Sequence, residues 1–289
     1  MTKLLSAQLS SHAASGMFGR RCFLRGAASV GLAAAATPAL GLLAGPTHAT
    51  NWRGLVGLVK PRANDPVLVE IARLLPVGVG LAVTYLNLSE GTREEMQRGF
   101  DNYEKNIAYL ASQKYNLISI EGAPPFMILG PEGETKLVEG WKEKYKTDMF
   151  TSSQNQVNVL KAMKVKKLFG VAAFGQDLNK AYAKYFEDSG ISVAEMATID
   201  VSFAGIPNLP PEMLYGLIKN AFLKHKASAD AIYILGSGLD TLSIIEALEQ
   251  DLGVPVVQAT AARVWEIQKR LHVRQPVKGF GTLLETMPV

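Results

Sequence analysis

The sequence is poor in the side chains that most often carry redox and metal chemistry. It has one cysteine, Cys22, and four histidines among 289 residues. Cys22 lies in a segment that we expect to be removed, so the mature chain has no thiol for a disulfide, a zinc site or a cysteine nucleophile. Only His225 and His272 remain in that chain, which excludes a histidine-rich metal site. We therefore expect no metal.

The first 49 residues lack acidic side chains altogether, although they contain four basic ones. Arg20 and Arg21 open the motif RRCFLR, which is followed by the weakly apolar run GAASVGLAAAATPALGLLAG and the small-residue site THA. This order predicts a twin-arginine signal over residues 1–49, the twin-arginine export machinery as a partner, and a periplasmic or secreted protein. A retained membrane anchor is the alternative, because the apolar run is nearly long enough to span a bilayer.

The excess of positive charge belongs to this segment. Of the 30 basic residues four lie in it, so 26 remain against 26 acidic residues. A nearly neutral mature chain gives no reason to expect nucleic acid or an anionic membrane as a partner. The sequence leaves a homo-oligomer open.

From Trp52 onward, short β-rich runs alternate with amphipathic stretches. This alternation predicts an α/β fold of parallel strands joined by crossover helices. The segment APPFMILGPEGE between two such units is predicted to be a loop, with GPEGE as a surface turn. The last helix is predicted at AARVWEIQKRLHV.

Two segments share one pattern. Asn116 to Gly122 (NLISIEG) and Asp230 to Gly236 (DAIYILG) each begin with a polar residue and end with glycine. Their similarity predicts two lobes, residues 50–150 and 151–289, with the C-terminal segment able to pack back on the first lobe. Ligands of open α/β sheets bind beyond the carboxyl ends of the strands, so the loops at the two glycines are the expected site. The alternative is that two buried strands share so short a pattern by chance.

Longer segments resemble the aspartate/glutamate racemase superfamily, in its maleate cis-trans isomerase and arylmalonate decarboxylase branch. They are GLVKPRANDPVLVEIARLLPVGVGLAVTYLNL, TSSQNQVNVLKAMKVKKLFGVAAFGQDLN, ADAIYILGSGLDTLSIIEALEQDLGVPVVQATAARVWEIQKRLHV and GFGTLL. The resemblance implies two pseudo-symmetric Rossmann-like α/β lobes with parallel sheets and a cleft between them. It also implies a small carboxylate as ligand and chemistry without a cofactor.

The sequence departs from the family where the family carries its chemistry. The resemblance implies two facing cysteines, one in each lobe, and they fall at Gly122 and Gly236. Glycine can neither accept nor donate a proton, so cysteine-dependent racemisation or cis-trans isomerisation is not expected. The family's Thr-Pro-Tyr falls at residues 172–174 without a hydroxyl. Asn64 is retained, and it resembles the family asparagine that donates to a substrate carboxylate.

Decarboxylation requires less of the protein. An apolar pocket destabilises the carboxylate that is lost, and hydrogen-bond donors stabilise the enediolate that forms. The segment APPFMILG and Phe174 are the expected apolar wall, and backbone N–H groups of Ala123, Ser237 and Gly238 the expected donors. The expected substrate-binding residues are Asn64, Gly122, Ala123, Pro124, Phe174, Gly236, Ser237 and Gly238.

The final protonation has no obvious agent. Glu121 and Ser237 are the candidate catalytic residues, with Asp240 or water as further candidates. Each also has a structural interpretation: Ser237 as a helix cap, Asp240 in a first helical turn, and Glu121 as a buried carboxylate or one that points away from the cleft. The favoured function is a cofactor-independent, malonate-type or arylmalonate decarboxylase-like lyase. The alternative is an exported, non-catalytic protein that binds a small carboxylate.

Overall fold

The computed structural model describes residues 51–61, 67–86, 99–173, 175–201, 205, 208–224, 228–236 and 238–289. The predicted signal lies outside these ranges, as do Asn64, Phe174 and Ser237. The strands are β1 (Gly54–Lys60), β2 (Val79–Tyr85), β3 (Leu117–Ile120), β4 (Asp148–Thr151), β5 (Lys167–Ala172), β6 (Ser192–Thr198), β7 (Ala231–Leu235) and β8 (Val256–Gln258).

The helices alternate with these strands. They are α1 (Val67–Leu74), α2 (Phe100–Ser112), α3 (Ala123–Met127), α4 (Gly130–Tyr145), α5 (Ser152–Ala162), α6 (Gln176–Asp188), α7 (Pro211–Lys224), α8 (Ile245–Leu252), α9 (Ala259–Arg270) and α10 (Thr282–Thr286). A short 3-10 helix, Leu242–Ile244, precedes α8. In the described part of the chain, no helix combines the length and the apolar character needed to cross a membrane.

Two four-stranded sheets organise the fold, and both are parallel throughout. The first has the order β2-β1-β3-β4 and the second the order β6-β5-β7-β8. If the strands of each sheet are numbered in chain order, both sheets have the same strand order, so β3 and β7 occupy equivalent positions. The predicted α/β fold with two similar parallel sheets is confirmed.

Burial along the strands follows their position in the sheet. All residues of β3 (LISI) and β7 (AIYIL) are buried, because a central parallel strand is covered by helices on both faces. Strand β2 lies at an edge, and its seven residues are half-buried. The continuous apolar runs therefore mark the interior strands, whose carboxyl ends lead into the predicted site.

The polar residue that opens each repeated segment has a structural role. Asn116 Oδ1 accepts a hydrogen bond from the Leu55 N–H at 2.8 Å, at the start of β1. Asp230 Oδ2 accepts hydrogen bonds from the N–H groups of Lys166 and Lys167, at 2.8 and 2.9 Å, at the start of β5. In both sheets the side chain therefore joins the beginning of one interior strand to that of its neighbour.

The expected loop APPFMILGPEGE is wrong. Residues Ala123–Met127 form α3, and Gly130 begins the 16-residue helix α4, so GPEGE is a first helical turn with a buried glutamate, Glu134. Proline favours the first turn of a helix as well as a loop, because its missing N–H would have no partner there. Because this segment was interpreted as a loop, neither α4 nor β4 was predicted from the sequence.

The described residues form one compact unit. Helix α9 packs against α5, against α1 and against β3 of the first sheet. Its Trp265 is buried, and the indole N–H donates to the Pro288 carbonyl at 2.9 Å. The division into lobes at residue 150 stays a prediction.

Candidate functional site

Gly122, at the end of the first repeated segment, has no room for a side chain. Its φ is +92°, in the region that favours glycine, and a Cβ there would lie 2.5 Å from the hydroxyl of Tyr103 and 3.1 Å from Cγ of Pro61. The Tyr103 hydroxyl donates to the Glu121 carbonyl at 2.8 Å. Burial, with the charge of Glu121, raises the pKa of Tyr103, so the phenol remains a donor. Tyr103 therefore fills the space beside Gly122.

Gly236 ends the second repeated segment with the same backbone conformation, φ +92°. Ser237, which follows it, lies outside the described residues, and Gly238 is half-buried in a turn. Asp240 is exposed and precedes the 3-10 helix, so its expected place in a first helical turn is wrong. The matching glycines show that the repeat extends to the loops that leave β3 and β7.

The expected apolar wall is only partly available for a ligand. Ala123 and Pro124 are buried in α3, next to Gly122. The ring of Phe126 instead packs among aromatic side chains of the core, with centroids 5.1 Å from Tyr103 and 6.3 Å from Trp141. The short helix α3 thus anchors this loop to the interior.

Glu121 belongs to a buried group of charges. It is 2% exposed, and its Oε2 accepts from Nζ of Lys60 at 2.9 Å. Lys60 ends β1 and is itself fully buried. Because β1 and β3 are neighbours in one parallel sheet, the two side chains meet beyond the carboxyl ends of these strands. This is the position at which α/β sheets bind ligands.

A second cation reaches the same carboxylate from α9. Nη1 of Arg263 lies 3.4 Å from Oε1 of Glu121, and the Arg263 side chain is 3% exposed. Nη2 donates to Oγ of Ser152, the first residue of α5, at 3.1 Å. The carboxylate of Glu121 is thus an ion-pair partner of two cations, and to act as a proton donor it would have to give up both pairs.

Lys60 and Arg263 are two buried cations that pair with the one carboxylate of Glu121. Glu266, one turn after Arg263, pairs with Arg270 at 2.7 Å. Buried charges are tolerated when they are paired and hydrogen-bonded in this way. Neither cation was predicted from the sequence. Two sequence features could have indicated them: a lysine that ends the apolar run GLVGLV and an arginine inside the apolar stretch ATAARVW.

A second buried carboxylate, Glu134 of α4, has hydroxyl partners. It accepts from Oγ of Ser153 at 2.5 Å, and also from the hydroxyls of Thr151 and Tyr185. Burial raises the pKa of Glu134, and the three hydrogen bonds partly offset that effect. The donors come from β4, α5 and α6, so this carboxylate joins elements next to both sheets.

Most of the chain is similar to proteins of known family. Residues 56–284 match the arylmalonate decarboxylase family. An arylmalonate decarboxylase of Bordetella bronchiseptica is 23% identical over 212 residues, covering 73% of this chain and 88% of that protein. A maleate isomerase of Geobacillus stearothermophilus is 19% identical over 244 residues, covering 79% of this chain and 96% of that protein.

Solved structures show the same fold. The maleate isomerase Iso from Pseudomonas putida S16 superimposes with a TM-score of 0.73 at 20% identity, covering 81% of this chain and 99% of that chain. The resemblance to the maleate isomerase and arylmalonate decarboxylase branch, predicted from the sequence motifs, is confirmed.

Proposed function

Because the chain belongs to the arylmalonate decarboxylase family, we propose that it binds a small carboxylate and decarboxylates a malonate-type acid without a thiol. The observation that carries the proposal is the buried guanidinium of Arg263 beside Glu121, whose Nε and Nη1 make no hydrogen bond to the described residues. A buried donor without a partner is stabilised when an acceptor binds beside it. A small carboxylate supplies that acceptor.

The proposed reaction breaks the bond between the α-carbon and one carboxylate. Carbon dioxide leaves, the electron pair remains on the α-carbon as an enediolate with the second carboxylate, and a proton then forms the new C–H bond. Buried cations stabilise the enediolate because its charge develops where they are already fixed. The proton comes from Ser237 or water, since the carboxylate of Glu121 is taken up by two cations.

A carboxylate-binding protein without turnover is the second candidate. The observation in its favour is that Tyr103 and Pro61 fill the side-chain space beside Gly122, while Glu121 is held by ion pairs. Such a protein keeps the affinity for the anion and has lost the proton donors. The two candidates differ in one measurable respect, the release of carbon dioxide.

Export is a further part of the proposal. The paired arginines Arg20 and Arg21, the apolar run that follows and the THA site support transport by the twin-arginine machinery to the periplasm or outside the cell. A periplasmic or secreted location suits a protein whose mature chain has no thiol to oxidise.

The test is to record thermal stabilisation and carbon dioxide release on the same samples, with malonate and arylmalonates as ligands. If the protein is an enzyme, it should release carbon dioxide from the ligand, and the ligand should stabilise it against thermal unfolding. Replacing its proton donor, as in Ser237→Ala, should then lower the turnover about 100-fold or more while ligand binding is kept. Stabilisation without carbon dioxide release would instead establish the second candidate.

Glu121→Gln separates the roles of this carboxylate. Its loss leaves two cations without their anion, so we expect a less stable protein in which carboxylate binding is kept or strengthened. A loss of turnover with full binding would show that Glu121 is the proton donor after all. Glu139→Gln is the matched control, because Glu139 is exposed on α4.

A further inference from the structure

Tyr103 reaches the turn at Gly122 from a helix that is fixed against the first sheet. It lies on the buried face of α2 with Ile107 and Leu110, three residues at helical spacing. This face packs on β1 and β3. Gly57 of β1 lets the helix approach closely, because a Cβ there would lie 2.7 Å from Cδ1 of Leu110. The ring of Tyr103 therefore has a fixed place in the core.

The side chain of Tyr103 contacts the chain on both sides of Gly122. Its hydroxyl donates to the carbonyl of Glu121 at 2.8 Å, just before the glycine. Its ring packs edge-on against Phe126 of α3, just after the glycine, with centroids 5.1 Å apart and ring planes at 65°. The N–H of Glu121 donates to the Val59 carbonyl at 2.8 Å, which holds the strand side of the turn. The turn is thus held on both sides.

Fixing the Glu121 carbonyl also fixes the direction of the N–H of Gly122. The two groups belong to one planar trans peptide, so they point in opposite directions. Because the carbonyl is bound to Tyr103 on α2, the N–H is directed away from that helix. A hydroxyl of α2 therefore sets the orientation of a backbone donor at the end of β3.

We infer that Tyr103 is a positioning residue that orients the backbone N–H of Gly122 for the carboxylate of the ligand. This inference rests on the proposed function, because a bound carboxylate is the acceptor that the N–H would meet. A donor that is already oriented does not have to be ordered when the ligand binds, so its hydrogen bond contributes more to affinity. Tyr103 acts through the peptide and needs no contact with the ligand.

The test is Tyr103→Phe, which keeps the ring and its packing against Phe126 and removes only the hydroxyl. NMR relaxation of the full chain without ligand measures how firmly the Gly122 N–H is held. Its order parameter should be about 0.85 in the wild type and below about 0.6 in the variant. Isothermal titration should show that malonate binds about tenfold more weakly to the variant.

Tyr185→Phe is the matched control. It also removes one buried hydroxyl, which donates to Glu134 rather than to the turn at Gly122. Its order parameter for the Gly122 N–H should equal that of the wild type, and its affinity for malonate should change less than about twofold. Urea unfolding of both variants shows how much stability each hydroxyl contributes.

Three results would overturn the inference while carboxylate binding stands. One is a Gly122 N–H that stays equally rigid in Tyr103→Phe, which would mean that β3 and α3 hold the turn without the hydroxyl. Another is unchanged malonate affinity although the N–H has become mobile. The third is an equal loss of affinity in Tyr103→Phe and Tyr185→Phe, which would assign the hydroxyl to the stability of the fold alone.

Failure of the proposed function gives a different result. In that case the wild type binds neither malonate nor arylmalonates, and the inference fails with it, whatever the order parameter of the Gly122 N–H.

Discussion

At the end of β3, one backbone angle and one hydroxyl decide what residue 122 can be. Gly122 has φ +92°, and the Tyr103 hydroxyl lies where a Cβ would have to be. The structure therefore leaves no room at this position for the side chain of a cysteine or of any other residue. A Gly122→Cys substitution alone would meet both the unfavourable φ and the phenol.

Gly122→Ala should therefore destabilise the protein by about 2–4 kcal/mol, from the positive φ and the contact with Tyr103 together. Gly190→Ala is the matched control, because Gly190 has φ +85° and open space around its Cβ position. Its cost should be about 1–2 kcal/mol. Urea unfolding measures both, and the double variant with Tyr103→Phe should recover part of the loss. Equal costs for the two glycines would contradict a steric role of the hydroxyl.

The pairing of interior strands depends on matching side chains at the start of each repeated segment. Asn116 accepts from the backbone of β1, and Asp230 accepts from two N–H groups at the start of β5. These hydrogen bonds lower the pKa of Asp230, because they stabilise the ionised carboxylate. The pattern found in the sequence thus marks a hydrogen-bond site shared by the two sheets, and its final glycine marks the turn into the site.

Asn116→Ala and Asp230→Ala should each cost about 1 kcal/mol of unfolding free energy at neutral pH, since each removes side-chain bonds to the backbone. The pKa of Asp230 is lowered from 3.8, so its contribution is present above that value and is lost as the pH falls through the folded-state pKa. The cost of Asp230→Ala should therefore shrink in acid, whereas that of Asn116→Ala should not. Urea unfolding at neutral pH and at about pH 3 tests this.

The control for both is Asn102→Ala, because Asn102 is exposed on α2. Its effect should be small and independent of pH. If the cost of Asp230→Ala stayed constant into acid, the carboxylate would not be the acceptor of these bonds.

At the scale of the whole molecule, the buried carboxylate of Glu134 connects separate layers of the fold. Its hydroxyl partners belong to β4, α5 and α6, and α6 packs against β6 of the second sheet. Since all three partners are neutral donors, no nearby cation among the described residues supports the ionised form. The connection is therefore sensitive to the ionisation of this one group.

The raised pKa of Glu134 gives the stability of the protein a pH dependence of known sign. The folded state holds the proton more tightly than the unfolded state, so stability falls as the pH rises from about 4.5 through the folded-state pKa. Glu134→Gln keeps the shape and cannot ionise. Relative to this variant, the wild type should lose unfolding free energy as the pH rises above about 4.5. Glu139→Gln, on the exposed face of the same helix, should show no such difference.

Identical pH profiles for the wild type and Glu134→Gln would show that Glu134 does not titrate differently in the folded state. Urea unfolding at several pH values makes this comparison directly. Thermal scans give the same ranking if unfolding is reversible.

The sequence by itself determined the alternation of strands and helices, the family and the two glycine positions, because these depend on local pattern and on motif order along the chain. It also excluded thiol chemistry in the expected mature chain, since composition alone settles that. Only the tertiary structure decided that Glu121 is held by Lys60 and Arg263 and that Tyr103 occupies the space beside Gly122. These residues lie far apart in sequence, and their charges and hydroxyls acquire roles only when folding removes water and brings them into contact.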